Sequence, residues 1–156
     1  MNKAVNPASG SVPHEAVART VRVMIADDNL DHVAVTAMLL QAEGYDVRGL
    51  GSGGKLLEQF EVFRPSVVIL DIGMPGLSGY DVARALRANA LGSEVLLIAL
   101  TGFEGQTDRM LSKMAGFDYH LVKPADPNAL LAVIRDYLAG NRPVRIHVIP
   151  DRSERF

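Results

Sequence analysis

Four apolar runs in this chain each end at a chemically active side chain. The run 21–26 leads into Asp27 and Asp28, 67–70 into Asp71, 95–100 into Thr101, and 119–122 into Lys123. Three carboxylates, a hydroxyl and an ammonium are thus offered from four separate places. A carboxylate can act as a nucleophile and take a phosphoryl group as an acyl phosphate. Three carboxylates crowded together repel and push one pKa upward unless a hard cation removes the conflict. Mg2+ suits that task, because it prefers one or two carboxylates together with water and phosphate oxygens. A lysine and a hydroxyl would serve the phosphoryl oxygens, since phosphoryl transfer needs mainly in-line positioning and charge cancellation.

These side chains cooperate only if the fold gathers the ends of the runs. The runs are short, rich in Val and Ile, and separated by helical patterns, which is the signature of buried parallel strands. Strands are predicted over 21–26, 45–50, 66–70, 94–100 and 117–122, and helices over 30–43, 55–63, 79–89, 105–115 and 127–139. Asn29, Ser78 and Asp126 stand where N-caps belong, and Gly44, Gly116 and Gly140 where helices stop. Pro65 closes the second helix, because the residue before a proline is pushed out of the helical region. Five strand–helix repeats predict an α/β fold with a doubly wound, five-stranded parallel sheet. Open sheets of this type bind ligands just beyond the carboxyl ends of their strands. That rule would place Asp27, Asp28, Asp71, Thr101 and Lys123 around one crevice.

The composition narrows the class. A chain of 156 residues suits one domain with tails: a flexible arm over 1–20, the folded unit over 21–140, and a polar tail over 141–156. A hydrophobic share of 48% and a charged share of 22% are ordinary for a soluble globular protein. The net charge of −2 gives no global basic field to attract nucleic acid. The absence of cysteine excludes disulfides, thiol catalysis and cysteine metal sites. No stretch approaches the roughly 18 apolar residues of a membrane span, and residues 1–20 lack a signal-peptide core, so a cytoplasmic location is expected.

Between Val21 and Ala139 the chain resembles the receiver domain of two-component response regulators. The resemblance rests on Asp27-Asp28, on the segment Leu70-Asp71-Ile72-Gly73-Met74-Pro75-Gly76-Leu77-Ser78-Gly79, on Thr101-Gly102 and on Lys123-Pro124, all in order and at strand ends. It implies a flavodoxin-like (βα)5 fold with strand order 2-1-3-4-5. It implies that Asp71 is phosphorylated, with Asp28 and Asp71 binding Mg2+ directly, Asp27 through water, and Gly73 through its carbonyl. Lys123 would neutralise phosphoryl oxygens, Thr101 would hydrogen-bond to them, and Lys123-Pro124 would be a cis peptide. His120 stands where the family often has Tyr or Phe, so it becomes the second switch residue beside Thr101. Its plainer reading is a half-exposed histidine on an edge strand. Phe103 and Gly73 would flank the phosphoryl site. His32 and His147 read as surface residues.

The implied partners are a histidine kinase or phosphotransfer protein and a downstream target, with a homodimer left open. Neither nucleic acid nor membrane is among them. The implied module is not a turnover enzyme, although it catalyses its own phosphorylation and dephosphorylation. Sixteen residues follow Gly140, too few for a helix-turn-helix output domain, so output is expected through protein contact or relay to a phosphotransfer histidine, in a free-standing regulator or the separate receiver of a hybrid kinase. Two other readings compete. One is an interaction module that is never phosphorylated. The other is a P-loop nucleotide hydrolase, since Gly49-Leu50-Gly51-Ser52-Gly53-Gly54-Lys55 matches the opening of that motif. Against it, Leu56 stands where the motif needs a Mg2+-binding hydroxyl. In the tail, Val144, Ile146 and Val148 alternate with Arg145 and His147 between Pro143 and Pro150. This pattern predicts a short interaction strand over 144–149 that must join a sheet edge, against the alternative of a disordered terminus.

Overall fold

The computed structural model describes residues 19–102, 105–141 and 147–149. Most of the expected N-terminal arm, Phe103 and residues 144–146 lie outside these. Within them the chain alternates β1 (Arg22–Ala26), α1 (Leu30–Ala42), β2 (Asp46–Leu50), α2 (Gly53–Phe63), β3 (Val67–Asp71), α3 (Gly79–Ala88), β4 (Leu96–Thr101), α4 (Gln106–Ala115), β5 (Tyr119–Val122) and α5 (Pro127–Leu138). A short 3-10 turn, Ala90–Gly92, sits between α3 and β4, and a last strand, β6 (His147–Ile149), follows α5. The sheet order is β2-β1-β3-β4-β5-β6. The first five strands therefore stand in the order expected, and all are parallel. β6 adds to the outer side of β5, also parallel, with Tyr119 opposite His147 and Leu121 opposite Ile149.

Alternation along the strands builds two cores, one on each sheet face. Met24, Val68, Leu70, Leu97 and Ala99 pack with Leu56 and Phe60 of α2, with Val82 and Leu86 of α3, and with Ala115 of α4. Their strand neighbours Val23, Ile25, Val67, Ile69, Leu96 and Ile98 pack on the other face with Val33 and Leu40 of α1 and Leu130 and Ile134 of α5. Strands β3, β4 and β5 are buried along their whole length. That explains why β3 and β4 are apolar up to their last residue rather than alternating. Burying one such Leu or Ile side chain contributes about 1.5–3 kcal/mol, so the central strands are held firmly in register.

Helix starts follow the caps read from sequence. Asn29 accepts from the His32 N–H and Asp126 from the Asn128 N–H. Ser78 and Asp81 form a reciprocal capping box. Helix α2 begins two residues before the expected boundary, because Ser52 caps it by accepting from the Lys55 N–H at 3.2 Å. The Gly-rich segment is thus a capped helix start. Leu56 is fully buried in the core, and no hydroxyl stands where a P-loop would bind its metal.

Candidate functional site

The carboxyl ends of β1, β3, β4 and β5 converge on one crevice. Asp71 and Thr101 are the last residues of their strands, Asp27 follows β1, and Lys123 follows β5. Parallel pairing sets this: Asp71 stands opposite Leu100, and Thr101 opposite Val122. The Lys123 N–H donates to the Thr101 carbonyl at 2.7 Å, so the chain is still held to β4 as it leaves the sheet. The peptide after Lys123 is cis. Glycine shapes the far side. A Cβ on Gly79 would stand 2.6 Å from the Asp71 carbonyl oxygen and 2.9 Å from the Ile72 Cα. Only glycine lets the start of α3 lie this close to the end of β3.

Oxygens of Asp27, Asp28 and Asp71 lie within 4.8 Å of one another. Asp28 is exposed, whereas Asp27 and Asp71 are buried. Lys123 reaches in from the opposite end of the sequence, with Nζ at 2.9 Å from Asp27 Oδ2 and 3.3 Å from Asp71 Oδ1. The Asp71 Oδ1 atom also accepts from the Gly73 N–H at 3.2 Å. The two buried carboxylates differ sharply. Burial opposes charge on Asp27, but the Asn29 N–H, Lys123 and His32 outweigh it and hold its carboxyl below the usual value. Burial and the neighbouring Asp27 charge push the Asp71 carboxyl up, only partly offset by Lys123 and the Gly73 N–H. Burial works against the Lys123 charge as well, yet bonds to Asp27 and attraction to Asp71 raise its pKa overall.

This donor set fits a hard divalent cation. It is all oxygen, it carries more negative charge than Lys123 balances, and its like-charge strain falls on Asp71. Asp28 and Asp71 offer carboxylate oxygens that could hold such an ion. Asp27 already has both oxygens engaged by donors, Asn29 on one and His32 and Lys123 on the other.

Two histidines depart from the sequence reading. His32 is not a plain surface residue: its Nδ1 lies 2.7 Å from Asp27 Oδ2. The signal for this was positional. His32 is in the first turn of α1, and helical side chains tilt toward the N-terminus, here toward the acidic pair. His120 is fully buried, and its strand is covered by β6, so the half-exposed edge reading does not hold. Its Nδ1 is 2.9 Å from the hydroxyl of Ser112, a fully buried residue of α4 that sequence reasoning passed over. The Tyr80 hydroxyl on α3 is hydrogen-bonded to the same serine. A polar chain from α3 through α4 thus ends on β5 two residues from the end of the strand. Beside the crevice, between α1 and α5, an apolar cavity of about 330 Å³ is lined by His32, Thr36, Leu100, Pro124 and Leu130 among others.

Known proteins are similar to this chain in sequence and fold. A family model described as the response regulator receiver domain matches residues 23–135. The DNA-binding response regulator MtrA of Mycobacterium tuberculosis is 33% identical over 120 residues, covering 77% of this chain and 51% of MtrA. This chain therefore spans about half the length of that relative. Protein PilH of Pseudomonas aeruginosa is 33% identical over 119 residues, covering 76% of this chain and 98% of PilH. Among solved structures, a CheY-like receiver domain protein from Methanospirillum hungatei superposes with a TM-score of 0.72 at 26% identity, covering 78% of this chain and 95% of that one. A response regulator from Chloroflexus aurantiacus gives 0.73 at 26% identity, covering 78% and 99%. No helix among the described residues is long and apolar enough to cross a membrane.

Proposed function

This chain belongs to the response regulator receiver domain family, and on that premise we propose that it is phosphorylated on Asp71, with residues 21–140 as the receiver unit. An Asp71 carboxylate oxygen attacks the donor phosphorus and forms the new O–P bond. The bond from phosphorus to the donor breaks, and its electron pair leaves with the donor, the imidazole of a phosphohistidine or the carboxylate of acetyl phosphate. Lys123 faces the phosphoryl oxygens and Thr101 donates a hydrogen bond to them. Mg2+ held by Asp28, Asp71 and the Gly73 carbonyl, with Asp27 through water, would supply the charge neutralisation that lets an anionic nucleophile meet an anionic phosphoryl group. The chain thereby catalyses its own phosphorylation, and attack of water on the acyl phosphate returns it to the free aspartate. A histidine kinase or phosphotransfer protein is the donor, and a downstream protein reads the result through Thr101 and His120.

The observation that carries this reading is Lys123. Its ammonium lies between Asp27 and Asp71 at 2.9 and 3.3 Å, although 96 residues separate it from the first. A lysine that merely ended a strand would have no reason to reach both. Incubation with acetyl phosphate and Mg2+, followed by mass spectrometry, should place one phosphoryl group on Asp71. Label that persists in Asp71→Asn, or that forms equally well in EDTA, would refute the proposal.

A further inference from the structure

Asp27 is almost wholly buried, and both of its carboxylate oxygens are engaged by named donors. Oδ1 takes the Asn29 N–H at 3.0 Å, and Oδ2 takes both His32 Nδ1 at 2.7 Å and Lys123 Nζ at 2.9 Å. Lys123 is needed elsewhere once phosphorus arrives. On the reading above it must turn toward the new phosphoryl oxygens on Asp71, and so must give up Asp27 Oδ2. Removing a charged partner from a buried carboxylate is expensive unless another donor remains. His32 is that donor, since its bond falls on the same oxygen.

We propose that His32 is a positioning residue that keeps Asp27 Oδ2 satisfied while Lys123 transfers to the phosphoryl group. The inference rests on the phosphorylation of Asp71 and the role of Lys123 given above. His32 touches neither donor nor phosphoryl group in this scheme. It acts through Asp27, by lowering the cost of releasing Lys123. Either protonation state of the ring suffices, provided Nδ1 carries the hydrogen that it donates.

The test compares the full chain with His32→Ala, His32→Asn, Lys123→Ala and the His32→Ala/Lys123→Ala double variant. Each is phosphorylated by acetyl phosphate at saturating Mg2+. His32→Ala should be labelled about tenfold more slowly than wild type, the scale of one hydrogen bond to a charged group. His32→Asn should recover most of the rate, because the Asn side-chain nitrogen can stand where Nδ1 stands. In the Lys123→Ala background, His32→Ala should change the residual rate little, because no ammonium is left to be released. A merely structural role for His32 would slow both backgrounds alike. The inference is overturned by a wild-type rate in His32→Ala, by an equal loss with and without Lys123, or by no recovery in His32→Asn. A wild-type chain that takes no label on Asp71 removes the underlying reading and this inference with it. A labelled wild type with an unaffected His32→Ala removes the inference alone.

Discussion

The two buried carboxylates are driven in opposite directions, and the consequence is measurable without any phosphodonor. Asp71, pushed up by burial and by the Asp27 charge, destabilises the metal-free fold wherever it is ionised. That cost is present above its raised folded pKa and fades as pH falls through that value. Asp27, held below the ordinary 3.8, contributes stability that is present above that figure and is lost as pH falls through its lowered folded value. In EDTA at neutral pH, Asp71→Asn should therefore melt higher than wild type, and the gap should shrink on acidification. Mg2+ should close the gap from the other side. At ten times its Kd it stabilises wild type by about 1.4 kcal/mol and the variant by less, because binding only to the native state sets that increment. Thermal melts with and without Mg2+ check both statements. An Asp71→Asn variant less stable than wild type in EDTA would contradict the electrostatic account.

Elements hold these residues through close contacts, and two of those contacts give separate predictions. Gly79→Ala would drive a methyl against the backbone at the end of β3, 2.6 Å from the Asp71 carbonyl oxygen. Overpacking of this kind costs about 1–3 kcal/mol, and here it should also weaken beryllofluoride binding at Asp71, readable by urea melts and by titration of that phosphoryl mimic. Ser112→Ala removes the hydroxyl beside the fully buried His120 Nδ1. Losing one hydrogen bond of this kind costs about 0.5–1.5 kcal/mol. Hydrogen exchange should then rise in α4 and β5 relative to α1. Unchanged exchange there would show that the Ser112–His120 bond does not tie the two elements.

Elements were also the scale at which the sequence was most readable. Apolar continuity marked β3 and β4 because both faces of these strands are buried. Asn29, Ser78 and Asp126 marked helix starts because each side-chain oxygen accepts from an N–H two or three residues further on. Strand-end chemistry was legible for the same reason: parallel strands send every carboxyl end to one side. What escaped was cross-element pairing. His32 meeting Asp27, and Ser112 meeting His120, depend on helix rotation and tilt, which a one-dimensional pattern does not carry. Helix α2 began early because glycine at positions 53 and 54 argued against a helix, whereas Ser52 and the packing of Gly53 on Val82 override that propensity.

At the scale of the whole molecule, the described residues form a sheet with a helical layer on each face and a chemically active rim. β6 enlarges it on the β5 side, with three residues in register against Tyr119, His120 and Leu121. Deleting residues 141–156 exposes the outer edge of β5, whose main-chain groups then have only water to bond. Such a truncated chain should melt lower than the full chain while still accepting label on Asp71, because Asp27, Asp28, Asp71, Thr101 and Lys123 all precede the deleted segment. Equal melting temperatures would show that the β5–β6 pairing contributes nothing to stability.

The direction of β6 also matters to anyone attaching something to this protein. Because β6 runs parallel to β5, the chain leaves Ile149 on the same rim of the sheet that carries Asp71 and Lys123. The start of β1 at Arg22 opens on the opposite rim. A fluorophore or an enzyme half fused after Ile149 would begin its path on the rim that carries the crevice, and one fused ahead of Arg22 would begin on the opposite rim. Ile149 and Arg22 are thus unequal handles: an attachment joined directly after Ile149 suits a reporter meant to sense occupancy, and one joined directly ahead of Arg22 suits a tether meant to leave the crevice alone.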